Sequence, residues 1–211
     1  MMPFWKDNKK MAGMLLVIAS GQFLTLMMLG EAIAPDYSMH ENAISDLGVI
    51  DETQVLFNSS LFTIGLLNVP AGYFFFKAHQ SRPLFLAFIL GGIGAMGAGL
   101  ISLDNPIGVH GLFALLAFLF MNLEAILTAR LVRGPLMLGS IVMGATGLVF
   151  LVMMVLVDSG SIDMSGTIGH GGTERMIAYP ALVWMVMIGG WLIGDPELRI
   201  KGVSPAAEEK A

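Results

Sequence analysis

Cysteine is absent from the 211-residue sequence, which removes disulfides, thiolate metal ligands and thiol nucleophiles together. Any metal held here must use imidazole, carboxylate, hydroxyl or amide groups. Charge is scarce as well. Only 13% of the residues are Asp, Glu, Lys or Arg, where a soluble domain carries about 25%. With 55% hydrophobic residues, the chain is read as a polytopic membrane protein rather than a water-soluble domain. No nucleic-acid partner is expected of a chain with a formal net charge of −5.

What is present is a series of six apolar runs, each close to the ~20 residues that cross a bilayer as a helix. Their expected spans are Met11 to Ala34, Thr53 to Phe76, Pro83 to Leu103, Pro106 to Ala129, Pro135 to Val157 and Arg175 to Ile193. The first run is too long for a signal-peptide core, and Glu31 to Pro35 is a poor cleavage site, so it is kept as a span. Three of the runs open with a proline in the first turn, where its missing donor costs nothing. The expected fold is all-α: one six-helix transmembrane domain over residues 1–194, then a solvated tail over 195–211. Helix three repeats Ala87, Gly91, Ala95 and Gly99 at four-residue spacing, which suits close helix packing and a central place in the bundle. Asn68-Val-Pro70 is expected to interrupt helix two.

The loop charges give an orientation. Lys6, Lys9, Lys10, Lys77, Arg82, Arg130, Arg133, Arg199, Lys201 and Lys210 alternate to one side of a six-span chain, and Arg175 is the single basic residue on the other. Under the positive-inside rule both termini are cytoplasmic, in a multi-pass protein of the cell membrane. The opposite side carries Asp36, Glu41, Asp46, Asp51, Glu52, Asp104, Asp158, Asp163 and Glu174.

Candidate chemistry gathers on that acidic side. Tyr37 to Gly48 is a polar segment between two long apolar runs, and it holds His40, Glu41, Asn42, Ser45 and Asp46. His110 lies near the start of helix four, where Asp104 either partners its imidazole or, with Asn105, merely caps the helix. Before helix six, His170 and Glu174 are four residues apart, but Gly171 and Gly172 argue against a helical turn and favour Thr173 as the cap. Arg175 opposes both the helix dipole and the charge rule, so it should pair with Glu174, Asp46 or Asp104, or await an anion. Glu31, at the end of helix one, can join the same cluster. Glu124 lies about 21 Å along the helix from His110, and an ion pair with Arg130 or Arg133, or a bond from Asn122, is its favoured account over a proton or ion path.

The order of these motifs resembles a prokaryotic membrane-protein family known as domain of unknown function 998. Carrying the resemblance are Tyr37-Ser with Asn42-Ala-Ile-Ser45-Asp-Leu-Gly48, then Leu56-Phe-Asn58, Asp104 followed by His110-Gly111, and Glu174-Arg-Met-Ile-Ala-Tyr-Pro180 with Trp184. The resemblance implies a six-helix bundle with a polar cluster at the outer face, and no activity comes with it. A looser similarity is to the alkaline ceramidase and progestin-receptor group, intramembrane hydrolases that hold zinc with serine, aspartate and histidines; Ser45, Asp46, His110 and His170 are of those types.

Two functions from different classes follow. One is a metal-assisted hydrolase or transferase acting on a lipid or other amphipathic substrate. In it His110, His170 and either Asp104 or Asp46 hold a divalent metal such as zinc. Glu174, Asp46 and Ser45 act at the reacting centre, and Arg175, Asn42 and Tyr37 bind substrate. The other is a non-enzymatic binding or accessory protein whose polar cluster shapes a cavity for a membrane lipid or small ligand.

Overall fold

The computed structural model describes residues 4–161, 166 and 168–194; the expected tail 195–211 lies outside them. Six helices long and apolar enough to span a membrane follow one another: α1 (Asn8–Ile33), α2 (Gln54–His79), α3 (Arg82–Leu100), α4 (His110–Thr128), α5 (Pro135–Asp158) and α6 (Gly169–Ile193). No strand occurs among the described residues. Each helix packs against its neighbours in sequence, and α1 packs against α6, so the six form a closed ring. A further contact runs across it, from α4 to α6.

This is a bundle solvated by lipid rather than water, and its pattern of burial says so. Large apolar side chains such as Met28, Leu66, Leu86, Leu138 and Val152 face outward, while Ser20, Asn68, Asn122, Glu124 and Ser140 have no exposed surface. Apolar side chains lose nothing against acyl chains, whereas backbone and side-chain polar groups must be satisfied inside. Ser20 accordingly donates to Leu16 O at 2.7 Å, Asn122 to Ile177 O at 3.1 Å, and Trp184 Nε1 to Ser140 Oγ at 3.1 Å, tying α6 to α5.

Small residues set the helix spacing where backbones meet. A Cβ on Gly65 of α2 would stand 2.5 Å from Gly92 O of α3, and one on Gly13 of α1 would stand 2.5 Å from Gly189 O of α6. The glycines of α3 thus serve packing, as their spacing suggests. The most enclosed helix, however, is α6, with 56% of its span buried against 44% for α3 and 22% for α5. Like α4, it touches its neighbours on both sides and a third helix across the ring, because the two lean on each other.

Three helix limits differ from expectation for identifiable reasons. Helix α3 ends at Leu100 and α4 begins at His110, not Pro106. Between them Asn105 N bonds Ser102 O and Gly108 N bonds Asn105 O as successive turns, and Gly108 at φ +67° cannot continue a helix. Neither Asp104 nor Asn105 caps α4, whose N-cap is Val109 with no side-chain bond. Helix α6 starts six residues before Arg175, with Gly169 at φ +64° turning the chain into it. Thr173 is not its cap; the hydroxyl donates back to Gly169 O at 2.8 Å. Helix α2 runs unbroken through Pro70.

Replacing Gly65 by alanine should push α2 and α3 apart and lower unfolding stability in detergent by about 1–3 kcal/mol, the usual cost of overpacking. Gly21→Ala, where a Cβ meets nothing within 4 Å, should not lower it. Equal midpoints for the two variants would show that the close approach at Gly65 is not what fixes the helix spacing.

Candidate functional site

The polar groups converge at the end of the bundle where α1 ends and α6 begins, under the connection 34–53. Arg175, in the second turn of α6, organises it. Nε and Nη2 donate to Glu31 Oε1 of α1 at 2.9 and 2.6 Å. Nη1 donates to Met39 O, Asn42 O and Gly171 O at 3.1, 3.1 and 2.8 Å, and Nη2 also reaches Tyr37 Oη at 2.6 Å. A guanidinium has five N–H groups, and every one of its nitrogens is engaged here. Glu31, rather than Glu174, Asp46 or Asp104, is therefore the partner of Arg175, with side-chain exposures of 9% and 6%. This leaves Arg175 with no free donor for an anionic head group.

Tyr37 completes the clamp. Its hydroxyl accepts from Arg175 and donates to Ala43 O at 2.9 Å. Burial, opposed by the neighbouring guanidinium, pushes its pKa up to about 12, so the phenol keeps its proton. Asn42 and Asp46 then shape the connection from within. Asn42 Oδ1 accepts from Ser38 N at 2.9 Å, while Asp46 Oδ2 accepts from Asn42 Nδ2 at 3.2 Å and from Ala43 N at 3.0 Å. That second bond caps a short 3-10 helix, Ile44–Gly48. Ile44 N donates to Glu174 Oε2 of α6. Ile44 and Leu47 are buried, so the connection stoppers the ring like a plug.

Because α6 is helical from Gly169, His170 and Glu174 share one of its faces. They meet different partners: Glu174 is buried under the plug, and His170 Nε2 lies 3.4 Å from Asp158 Oδ1 at the end of α5. His110 is buried and donates Nδ1–H to Ile101 O at 2.6 Å, which leaves the Nε2 lone pair as its remaining function. Asp104 accepts from Ser102 Oγ at 2.6 Å and is exposed, away from His110.

Two spaces adjoin these residues. A cleft of about 410 Å³ is bordered by Ser45, Asp46, His110, Asp158, His170 and Glu174. Beneath it lies an apolar cavity of about 60 Å³ among Phe23, Phe57, Ile64, Phe118, Met121 and Ile177. Ser45, His110, Ala114, Phe118 and Glu174 border both. The arrangement thus sets a cleft with four carboxylates and two imidazoles on otherwise mostly apolar walls above an apolar slot. Among the described residues no group of three His, Asp or Glu side chains could hold a metal ion. His110, His170 and Asp104 are each turned to a different partner, so the donor set does not fit a bound zinc.

Asp158, which the charge pattern puts on this side without making it a candidate site residue, stands at the mouth, and nothing short of the α5–α6 contact places it against His170. Glu124 is paired differently from expectation. Arg130 and Arg133 are exposed, and its partner is Asn68 of α2, which donates Nδ2–H to Oε1 at 2.8 Å.

His40 fastens the plug from above. Its ring lies 2.7 Å from Glu41 Oε1 and 3.1 Å from Gly166 O, and the Glu41 bond, with a smaller contribution from the Gly166 carbonyl, raises its pKa above the usual 6.5. A raised folded-state value means that the protonated ring stabilises the fold, fully below about pH 6.5, and that this contribution is lost as pH rises through the folded pKa. His40→Gln should therefore flatten the pH dependence of the unfolding midpoint above pH 6.5; an unchanged slope would remove His40 as its source.

A family profile described as "Protein of unknown function (DUF998)" matches residues 17–191. No curated protein and no solved structure matches the chain.

Proposed function

This chain belongs to the DUF998 family of unknown function, and from its geometry we propose that it binds a small amphipathic molecule, head group in the cleft and apolar end in the cavity. The observation that carries the reading is the junction at which Ser45, His110 and Glu174 border both the apolar slot and the cleft whose apolar walls carry carboxylates and imidazoles. By the loop charges, this end of the bundle faces the extracytoplasmic side. At about 10–15 Å³ for each water-sized group, the cavity takes roughly four or five such groups, the end of a short alkyl chain. The ionisable groups of the cleft are Glu41, Asp46, Asp158 and Glu174 against His110 and His170, and the guanidinium nearby is fully engaged, so the favoured head group is cationic or rich in hydrogen-bond donors. Tyr37, Asn42 and Arg175 then serve binding by holding the plug.

Hexylamine should raise the unfolding midpoint of the protein in detergent, by an amount that approaches ~2.7 kcal/mol at a hundredfold excess over Kd. Hexanoate at equal concentration should do far less. Asp158→Asn should narrow the difference. If the two ligands act alike, the head-group assignment fails; if neither acts, the amphiphile reading fails.

A second reading, a hydrolase or transferase for esters of such molecules, has one observation in its favour. Among the described residues the Ser45 hydroxyl makes no hydrogen bond, and it borders the same spaces as the free Nε2 of His110. A serine hydroxyl and an imidazole on the walls of one cleft are a nucleophile and a base that need no metal. An alkyl fluorophosphonate should then modify Ser45 in the wild type and not in His110→Gln. Absence of the adduct from wild-type protein would sink this reading and leave the binding one standing.

A further inference from the structure

The second buried polar cluster lies far from the plug, and none of the functions above uses it. Glu124 of α4 and Asn68 of α2 have no exposed surface. Both amide hydrogens of Asn68 are spent, one on Glu124 Oε1 at 2.8 Å and one on Phe88 O of α3 at 3.2 Å. Three oxygens remain without a partner: Glu124 Oε2, Asn68 Oδ1 and Thr128 Oγ1, the last one turn along α4 from Glu124. Leaving buried acceptors unpaired is costly, and an unbalanced carboxylate within a membrane span more so.

Space limits what can relieve the shortage. A Cβ on Gly91 of α3 would stand 3.0 Å from Glu124 Oε1, so the α3 backbone closes that side. Neither the cleft nor the apolar cavity is bordered by Glu124 or Asn68. On the α3 side this wall leaves little space for a hydrated cation beside Oε1. A hydrogen on Oε2 needs no such space, and it changes an orphaned acceptor into a donor.

We propose that Glu124 is a proton-binding site within the membrane span, occupied in this packed state, with Asn68 as its receptor and α3 as its wall. The proton is the ligand, and α2, α3 and α4 all contribute to holding it. Its loss would leave a bare buried carboxylate with the Asn68 amide as its side-chain donor, closed in by the α3 backbone at Gly91, so release of the proton is tied to separation of these three helices.

Infrared spectra of the full-length protein in lipid nanodiscs at neutral pH test this directly. The wild type should show a carboxylic-acid carbonyl band that Glu124→Gln lacks, the other carboxyl groups cancelling in the difference. Glu124→Gln should also keep the wild-type unfolding midpoint, because its amide supplies the missing donor, whereas Glu124→Ala should lower it. If Glu124→Gln cannot be purified, the double variant Glu124→Met with Asn68→Leu, which makes the pair apolar, gives the same spectral comparison. No difference band at neutral pH would overturn the proposal. So would a sodium- or potassium-dependent rise of the wild-type midpoint that Glu124→Gln loses, since the site would then hold a metal cation.

Discussion

The Arg175 guanidinium is the constraint on which the plugged end of the bundle depends. It joins the last turn of α1 to the second turn of α6 through Glu31, and it collects two backbone carbonyls and a phenol from the connection between α1 and α2. A buried arginine of this kind is tolerable because charge and donors are matched locally: one carboxylate, three carbonyls and a hydroxyl surround it. Without it, Met39, Asn42 and Tyr37 would face the ring interior with unmet hydrogen bonds, and the plug would have no fixed height above the cavity. The mouth of the cleft is thus set by a residue that does not itself border it.

The same logic runs through the whole molecule. Where lipid is the solvent, sequestering apolar surface does not decide which face of a helix turns inward. Polar groups decide it. Ser20, Asn68, Asn122, Glu124, Ser140 and Arg175 lie on the inner faces of α1, α2, α4, α5 and α6, and each finds at least one partner there, although Asn122 Oδ1 and three oxygens of the Asn68–Glu124–Thr128 cluster are left over. Close glycine contacts at Gly65 and Gly13 then allow the backbones to meet.

Much of this was legible in the sequence, and the failures are instructive. Six spans could be counted because 20-residue apolar runs have few other readings. The importance of Arg175 could be read from its place, as a cation on the wrong side of the charge pattern. Its partner could not, because Glu31 and three nearer acids all satisfied the same rule, and only the packing of α1 on α6 chooses among them. The start of α6 was misjudged because Gly171 and Gly172 weaken a helix in isolation. In the fold they are where the connection lies on α6: Gly171 N bonds His40 O at 2.9 Å, and any Cβ on Gly171 would collide with Asn42 O. A propensity argument cannot see a neighbour that arrives from 130 residues away. Likewise Glu124 was assigned to arginines close in sequence, although α2 offered an amide at the right depth.

The closing contact of the ring joins its first member to its last, and this has a consequence for how the protein is made. Glu31 and the 34–53 connection leave the ribosome long before Arg175 does, so for most of synthesis they have no guanidinium to bind. Their carbonyls and carboxylate must stay hydrated at the membrane surface while four more segments are threaded. Only when the sixth arrives can the early loop sink onto the bundle. The plugged end of the ring is therefore the final feature to form during biogenesis, and a chain lacking the sixth helix, however well inserted, would not possess it.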